Sequence, residues 1–268
     1  MFFRPVGREL VALLRTLPAE AWDRPTVAAE WRVRDVVAHL VDTTLRRLSF
    51  HRDGHAPPPP RPWTSEREFV AFINDLNREW VMVARRCSPR VLTDLYDAAS
   101  TQHADFFEGT PMDAPALFAV SWAGESSSAG WFDIGREFTE QWHHQMQIRD
   151  AVGAPALADP RWLHAFLLIA LRGLPHAYRE TPAKEGDAVT IEITGPAGGI
   201  WTLRRDADRW TLWAGATHDA RAGAVLSDAS AWRLLFNALS PAHAEAAVQR
   251  LGDPALTAPL LRARSVIV

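Results

Sequence analysis

Residues 26–50, TVAAEWRVRDVVAHLVDTTLRRLSF, decide how the first half of this chain folds. Their mainly apolar side chains recur every three or four residues, which is the spacing of one face of an α-helix. The side chains at this spacing are Val33, Val36, Val37, Leu40, Val41, Thr44, Leu45 and Leu48. Gly54 and the prolines at 57–60 follow, and proline lacks the backbone N–H that a helix needs. The sequence therefore predicts a helix here, with Thr26 or an upstream turn residue as its cap.

Further segments of the first 178 residues repeat the helical spacing. They cover residues 66–87, residues 131–152 and about residues 159–178, and another helix is expected to begin near Asp113 or Pro115. Residues 97–115 carry scattered polar and turn-forming residues, so we interpret them as irregular. Together these segments predict an all-helical domain.

The character of the sequence changes near residue 180, where TPAKEGD (181–187) suits a linker. After it, AVTIEIT, IWTLRR, RWTLWA and AGAVLSD alternate in polarity and are rich in β-branched and aromatic residues, as strands are. Helical spacing returns in residues 228–240 and 254–264. The predicted fold class is α plus α+β: a helical domain over residues 1–178, then a small α+β domain with an antiparallel sheet over residues 179–268.

Composition narrows the possible partners. The 268 residues carry a formal net charge of −3, with both signs interspersed, so no basic face favours nucleic acid. Cys87 is the only cysteine, which excludes an internal disulfide or a cysteine-based zinc cluster and fits a reducing cytoplasm. The longest apolar run, residues 165–171, is too short for a membrane span, and the first residues lack a secretory signal. We expect a cytoplasmic protein with no nucleic-acid or membrane partner, of unknown oligomeric state.

Glu140 and His144 are four residues apart on a predicted helix, so their side chains lie one turn apart on the same side. A carboxylate and an imidazole placed in this way can reach one cation. Spacing alone equally fits an ordinary exposed contact between the two side chains. A metal site also needs a third ligand, and the adjacent His143 points about 100° away around the helix.

His39 is the best candidate for the third ligand. It lies on the helix of residues 26–50, at the border between the apolar stripe and the edge that carries Asp35 and Asp42. Such a border position can face a cavity between helices, although a histidine there can also be a structural residue with an ordinary hydrogen bond. In the metal interpretation, Asp35 or Asp42 would orient the free nitrogen of His39.

Two motifs resemble the mycothiol-dependent maleylpyruvate isomerase family of the DinB-like superfamily. They are EWRVRDVVAHLVDTTLRRL at 30–48 and EFTEQWHHQMQIRDAVGAP at 137–155. FINDLNREWVMVARRCSPRVL at 72–92 is similar to the second bundle helix of that family, and the sheet-bearing C-terminal segment resembles its small domain related to sterol-carrier proteins. The likeness thus extends over nearly the whole chain.

This resemblance implies a four-helix bundle that binds a divalent metal, usually zinc, through His39, Glu140 and His144. His39 would also be the catalytic residue, and mycothiol or another low-molecular-weight thiol would be the cofactor. Members with isomerase activity carry a Gly-Arg pair in the C-terminal domain, where this chain has Ala238-Leu239. This departure weakens the case for maleylpyruvate isomerisation itself and leaves the metal ligands unaffected.

The sequence leaves three functions open. The first is a zinc enzyme that uses a small thiol, activated at the metal, for isomerisation or transfer on a small electrophile. The second is a binding module that keeps the metal but performs no chemistry. Four tryptophans of the C-terminal domain, Trp201, Trp210, Trp213 and Trp232, would line its pocket unless they belong to the core. The third is a hydrolase that uses metal-bound water.

Overall fold

The computed structural model describes residues 2–28, 30–58, 62 and 64–266. Helices are followed by a five-stranded sheet with further helices, so the predicted fold class is confirmed. Packing divides the chain into two compact units, Met1–Asp113 with Glu140–Leu157, and Ala114–Thr139 with Ala158–Val268. The division into domains at residues 178 and 179 stays a prediction. No helix in the described ranges has the length and apolar character that crossing a bilayer requires.

The first unit is a bundle of helices around one apolar core. Its helices are α1 (Phe3–Thr16), α2 (Val33–Arg47), α3 (Glu66–Ala84), α4 (Pro89–Glu108) and the second part of α5 (Gly130–Val152). Helix α2 packs against α3 and α4, and α1 packs against α4. The core includes Leu10, Leu14, Trp22, Val36, Val37, Leu40, Val41, Val81, Leu92, Tyr96 and Ile148. Each fully buried aliphatic side chain of this kind contributes about 1.5–3 kcal/mol.

Helix α2 begins later than predicted, at Val33, and it ends in a π-helical turn at Leu48–Arg52. Thr26 is not its cap, because the Thr26 hydroxyl donates to the carbonyl of Trp31 at 2.8 Å within the preceding loop. Instead, the carboxylate of Asp35 accepts from the backbone N–H of Arg32 at 3.1 Å. This contact satisfies one of the N–H groups that the start of a helix leaves free.

Helix α4 shows that the irregular assignment of residues 97–115 was wrong up to residue 108. It is a helix of 20 residues, whose cap Ser88 accepts from the N–H of Val91 at 3.3 Å. Its buried face consists of Leu92, Thr93, Tyr96, Ala99, His103, Ala104 and Phe107. Four of these seven residues are small or polar, so hydrophobicity alone does not reveal the period of the helix.

Helix α5 is confirmed, and it stops at Gly153, whose φ of 70° is a conformation that favours glycine. The helix expected near Asp113 or Pro115 was wrong. In the structure, residues 109–129 form loops and one 3₁₀ turn at Ser121–Ala123. The helical segment of residues 159–178 is confirmed in outline and consists of α6 (Pro160–Ala170), a 3₁₀ turn and α7 (Leu174–Ala177).

The second unit contains the sheet. Its strands are β1 (Ala188–Thr194), β2 (Gly199–Arg205), β3 (Trp210–Ala214), β4 (Ala222–Ser227) and β5 (Gln249–Gly252), in the order β3-β2-β1-β4-β5. Three pairings are antiparallel as predicted, but β1 and β4 are parallel, with Val189 opposite Ala222. The sheet is therefore mixed. Residues 215–221 carry the chain back across the sheet, so β4 runs in the same direction as β1.

Helices α8 (Asp228–Leu235), α9 (Pro241–Ala247) and α10 (Pro254–Arg262) complete this unit. Helix α8 packs against β1, β4 and α6, and α10 packs against β4, β5, α7 and α9. Trp201, Trp210 and Trp232 are buried, whereas Trp213 is 60% exposed. Three of these four tryptophans thus belong to the core, which weakens the idea that they line a ligand pocket.

Candidate metal centre

Helices α2 and α5 bring the three predicted ligands together in the first unit. His39 lies in the middle of α2, and Glu140 and His144 lie one turn apart on α5. One potential ligand atom from each residue lies within 4.8 Å of the other two. The ring centroids of His39 and His144 are 4.7 Å apart, and Nε2 of His144 is 3.5 Å from Oε2 of Glu140. Two distant parts of the sequence therefore form one cluster.

The cluster is largely withdrawn from solvent. His39 is 5% exposed, His144 is 7% exposed, and the side chain of Glu140 is 22% exposed. The alternative of an ordinary exposed contact does not hold, because all residues from 141 to 149 are buried. Buried polar groups of this kind need bonding partners, since an unpaired one is destabilising.

Hydrogen bonding orients the ring of His144. Its Nδ1 lies 2.9 Å from Oε1 of Gln147. An amide oxygen can only accept, so Nδ1 donates and Nε2 is the nitrogen that faces Glu140. A lone pair opposite a carboxylate oxygen is repulsive unless a proton or a cation lies between them. The pair therefore favours a positive charge at this point.

The ring of His39 is held neutral. Burial lowers its pKa well below the usual value, and the nearby His144 acts in the same direction. A neutral imidazole can offer a lone pair to a metal without first losing a proton. Nδ1 of His39 is buried and has no hydrogen-bond partner among the residues that the structure describes. The ring thus has unused bonding capacity inside the cluster.

Glu140 is held in its charged form. Burial raises the pKa of its carboxyl, but hydrogen bonding to His144 and the influence of His143, His144 and His39 outweigh burial and keep the pKa far below its usual value. One ionised carboxylate and two imidazoles are a donor set that zinc accepts. Three protein ligands also leave one position of a tetrahedral ion for another molecule. The residues present therefore fit a catalytic zinc ion.

Trp31 and His143 lie beside the cluster. The ring centroid of Trp31 is 4.7 Å from that of His39 and 6.2 Å from that of His144. His143 is 2% exposed, and its ring centroid is 3.9 Å from that of His144. His143 does not belong to the group of converging ligand atoms, as expected from its direction about 100° away from His144 around the helix. Aromatic rings therefore lie beside both histidines of the cluster.

The structure does not support Asp35 or Asp42 as the partner that orients His39. Asp35 accepts from Nε and Nη2 of Arg85 at 3.0 and 3.2 Å, which connects α2 to the end of α3. Asp42 forms an ion pair with Arg46 at 3.0 Å. Both carboxylates therefore pair with arginine side chains.

Sequence reasoning did not single out Gln147 and Arg46. Gln147 follows His144 by three residues and Arg46 follows His39 by seven, so each shares a helix face with a predicted ligand. This spacing was the available signal. Whether a residue at this spacing contributes to the site depends on which faces of the helices are buried. That depends on how the helices pack and not on the spacing itself.

Ala238 and Leu239 lie in the loop that follows α8. Asn237 before them has a positive φ of 56°, and its side-chain oxygen accepts from Nε of Arg264 at 3.0 Å. Three arginines of the second unit also make contacts of their own. Arg221 pairs with Asp187 and Asp253, Arg233 donates to the Ala229 carbonyl, and Arg250 pairs with Glu245.

Comparisons with known proteins agree with the resemblance. Residues 3–149 match the family model of the mycothiol maleylpyruvate isomerase N-terminal domain. Two uncharacterized proteins of Mycobacterium tuberculosis, from strains CDC 1551 / Oshkosh and H37Rv, are each 26% identical over 204 residues, which is 74% of this chain and 74% of theirs.

Two solved structures share the fold at 12% sequence identity. The crystal structure of a mycothiol-dependent maleylpyruvate isomerase aligns with a TM-score of 0.53, over 87% of this chain and 85% of that chain. A histidine-to-alanine mutant of the mycothiol-dependent maleylpyruvate isomerase aligns with a TM-score of 0.56, over 94% of this chain and 91% of that chain. At this identity the likeness concerns the fold alone.

Proposed function

Because this chain belongs to the mycothiol maleylpyruvate isomerase family through its N-terminal domain, we propose that it is a zinc-dependent enzyme that uses a low-molecular-weight thiol. The thiol, mycothiol or a related molecule, would add to a small electrophile for isomerisation or transfer. The observation that carries the proposal is the convergence of His39, Glu140 and His144 within 4.8 Å. His39 is assigned as a metal ligand and as a catalytic residue.

The protonation states support this assignment of the ligands. His39 is neutral and Glu140 is charged for the reasons given above, so a divalent cation meets two groups already in their binding forms. Zinc bound to this set would supply Lewis acidity that favours the thiolate form of a thiol at the remaining position.

The residues of the chain itself prepare the site. Gln147 holds His144 in the tautomer whose Nε2 faces the cluster. The ring of Trp31 lies beside the rings of both histidines, with centroids 4.7 Å from His39 and 6.2 Å from His144. Low exposure strengthens the electrostatic interactions inside the site, because fewer water molecules screen them.

The thiol comes from outside the protein in this proposal. Cys87 is the only cysteine of the chain, and it packs against the apolar core of the first unit. A cysteine packed in this way behaves as a small apolar side chain of the core. Cys87 is therefore assigned a structural role, and a small-molecule thiol supplies the sulfur.

Metal analysis tests the ligands. Purified wild-type protein is expected to hold about one zinc ion per chain, and His39→Ala and Glu140→Ala are expected to lose it. His55→Ala, at an exposed position outside the cluster, is the matched control and should retain the ion. Stoichiometric zinc in both ligand variants would contradict the assignment.

Turnover of a panel of small electrophiles, measured with mycothiol, with glutathione and without thiol, tests the chemistry. We expect turnover that requires a thiol and disappears in His39→Ala. Equal turnover without a thiol would favour a hydrolase. Retained zinc with no turnover under any condition would favour the binding module.

A further inference from the structure

A chain of hydrogen bonds joins α4, α5 and α2 beside the predicted metal ligands. The hydroxyl of Tyr96 on α4 donates to Oε1 of Gln141 on α5 at 2.8 Å. Nε2 of Gln141 donates to Oγ1 of Thr44 on α2 at 3.3 Å, and this hydroxyl donates to the carbonyl of Leu40 at 2.7 Å. The three side chains are buried. Three helices of the first unit are therefore connected through one amide group.

Each bond of this chain has a single direction. A carbonyl oxygen only accepts, so the hydroxyl of Thr44 uses its one hydrogen on Leu40 and accepts from Gln141. The amide of Gln141 must then turn its nitrogen toward Thr44 and its oxygen toward Tyr96. The three side chains thus hold one another in one arrangement, and a rotation or a slide of α5 would break at least one bond.

The chain reaches both helices within one residue of a predicted ligand. On α2, its last acceptor is the carbonyl of Leu40, which follows His39 directly. On α5, Gln141 follows Glu140 directly. The hydrogen bonds therefore join α2 and α5 where the ligands of the two helices meet.

A metal centre built from two helices needs such precision. Ligand atoms must lie within about 0.2 Å of their ideal distances from a zinc ion. Advancing a helix by one residue moves a side chain about 1.5 Å along the axis and about 100° around it. The core around α2 is mainly apolar, and burial of apolar surface stabilises packing without specifying a direction. Hydrogen bonds are directional and supply this specification.

Stability alone does not account for the chain. A buried hydrogen bond contributes little net stability, because the same groups bond to water in the unfolded state. Apolar side chains of the same shape in place of both partners can be equally stable. Buried polar groups instead add specificity for one arrangement, as a buried asparagine does when it sets the register of a coiled coil.

We propose that Gln141, held by Tyr96 and Thr44, is a positioning residue that sets the register of α5 on α2 and thereby the geometry of the metal centre. Gln141 does not touch the ion in this proposal. It acts through the helix segments that carry His39 and Glu140. The inference rests on the proposed function and adds to it a device that holds the ligands in place.

Cobalt(II) and zinc binding to the full-length chain test the inference in variants that differ in one hydroxyl. Cobalt(II) replaces zinc at sites with nitrogen and oxygen ligands, and its visible absorption reports the coordination geometry. Thr44→Val should change the cobalt spectrum and lower the zinc affinity about three- to tenfold, less than the loss of a direct partner of a ligand. Thr44→Ser keeps the hydroxyl and should have the spectrum and the affinity of wild type.

Thr93→Val is the matched control. Thr93 is also a buried threonine of the first unit, and its hydroxyl donates to the carbonyl of Pro89, four residues earlier, at 2.9 Å. This variant loses the same group on α4, which carries no predicted ligand, so the cobalt spectrum and the zinc affinity should not change.

Tyr96→Phe removes the hydroxyl at the other end of the chain. It should change the cobalt spectrum in the same sense as Thr44→Val, and it replaces Thr44→Val if that variant does not fold.

The possible outcomes are distinct. Wild-type cobalt spectra and zinc affinities in folded Thr44→Val and Tyr96→Phe overturn the inference, even if urea unfolding shows that both variants are less stable, because the chain would then only stabilise the fold. An equal change in Thr93→Val also overturns it. The proposed function is unaffected by either result. If the wild-type protein binds neither cobalt nor zinc, the proposed function and this inference fail together.

Discussion

Oε1 of Gln147 lies 2.9 Å from Nδ1 of His144, one turn away on α5. This contact determines which nitrogen of the ring carries the proton and which one faces Glu140. Ligating histidines depend on such partners, because the partner fixes the tautomer and the direction of the free lone pair. Gln147 is thus a positioning residue for the candidate metal centre.

Replacing Gln147 should weaken zinc binding without abolishing it. We expect Gln147→Leu to lower the zinc affinity about 10- to 100-fold, because loss of an outer-shell partner has an effect of this size. Competition with a chromophoric chelator measures the affinity. Gln102→Leu, on the exposed surface of α4, is the control and should bind zinc like wild type. Wild-type affinity in Gln147→Leu would show that the contact does not orient a ligand.

The ion pair between Asp35 and Arg85 should contribute to stability far more than a surface pair. Asp35 is 1% exposed, so Arg85→Ala leaves a buried carboxylate without its charged partner. We expect a loss of about 3 kcal/mol in the free energy of unfolding, measured with urea. Arg78→Ala breaks the exposed pair with Asp75 and should cost less than about 1 kcal/mol. Equal losses in the two variants would contradict this prediction.

Local patterns predicted the elements in which apolar side chains recur at helical or strand spacing. They revealed α2, α3 and α5 and the first four strands. Helix α1 was not predicted, although Phe3, Val6, Leu10 and Leu14 are buried at helical spacing. Pro5 and Gly7 obscure its pattern, but proline is tolerated in a first turn. Strand β5 was not predicted because all four of its residues are exposed.

Residue patterns placed two of the predicted ligands on one helix face and nominated His39 on another helix, but they could not show that the two helices meet. Helical geometry alone puts Glu140 and His144 on one side of α5. That His39 meets them depends on the packing of distant segments, which the family resemblance implied and spacing does not encode. The contact of Arg46 with Asn77 and the attachment of Asp35 to α3 are also tertiary, so the predicted role of Asp35 beside His39 was wrong.

Acidification should remove the contribution of Asp187 to stability. Hydrogen bonds from Arg221 and from the Lys184 backbone N–H lower the pKa of this carboxyl. Its pKa in the folded protein is therefore below that in the unfolded chain, near 3.9. Asp187 therefore stabilises the fold fully at pH values above its pKa in the unfolded chain. This stabilisation is lost as the pH falls through its pKa in the folded protein.

Urea unfolding of wild type and Asp187→Asn between about pH 6 and about pH 3 measures this effect. The difference in the free energy of unfolding should be largest near pH 6 and should narrow toward pH 3. Asp208→Asn, at an exposed position in the β2–β3 turn, should show a constant difference. A difference for Asp187→Asn that is independent of pH would contradict the prediction.

Two glycines should respond to alanine in opposite directions. At Gly7, inside α1, an added Cβ would lie 3.6 Å from the Ser100 side chain, an ordinary contact, so Gly7→Ala should raise the free energy of unfolding by about 0.5–1 kcal/mol. At Gly198, in the β1–β2 turn, an added Cβ would lie 1.9 Å from the carbonyl oxygen of Ile193. Gly198→Ala must displace backbone and should lower the free energy of unfolding by about 2 kcal/mol or more. Urea unfolding of both variants checks the signs, and destabilisation by Gly7→Ala would mean that α1 and α4 pack too closely there for a methyl group.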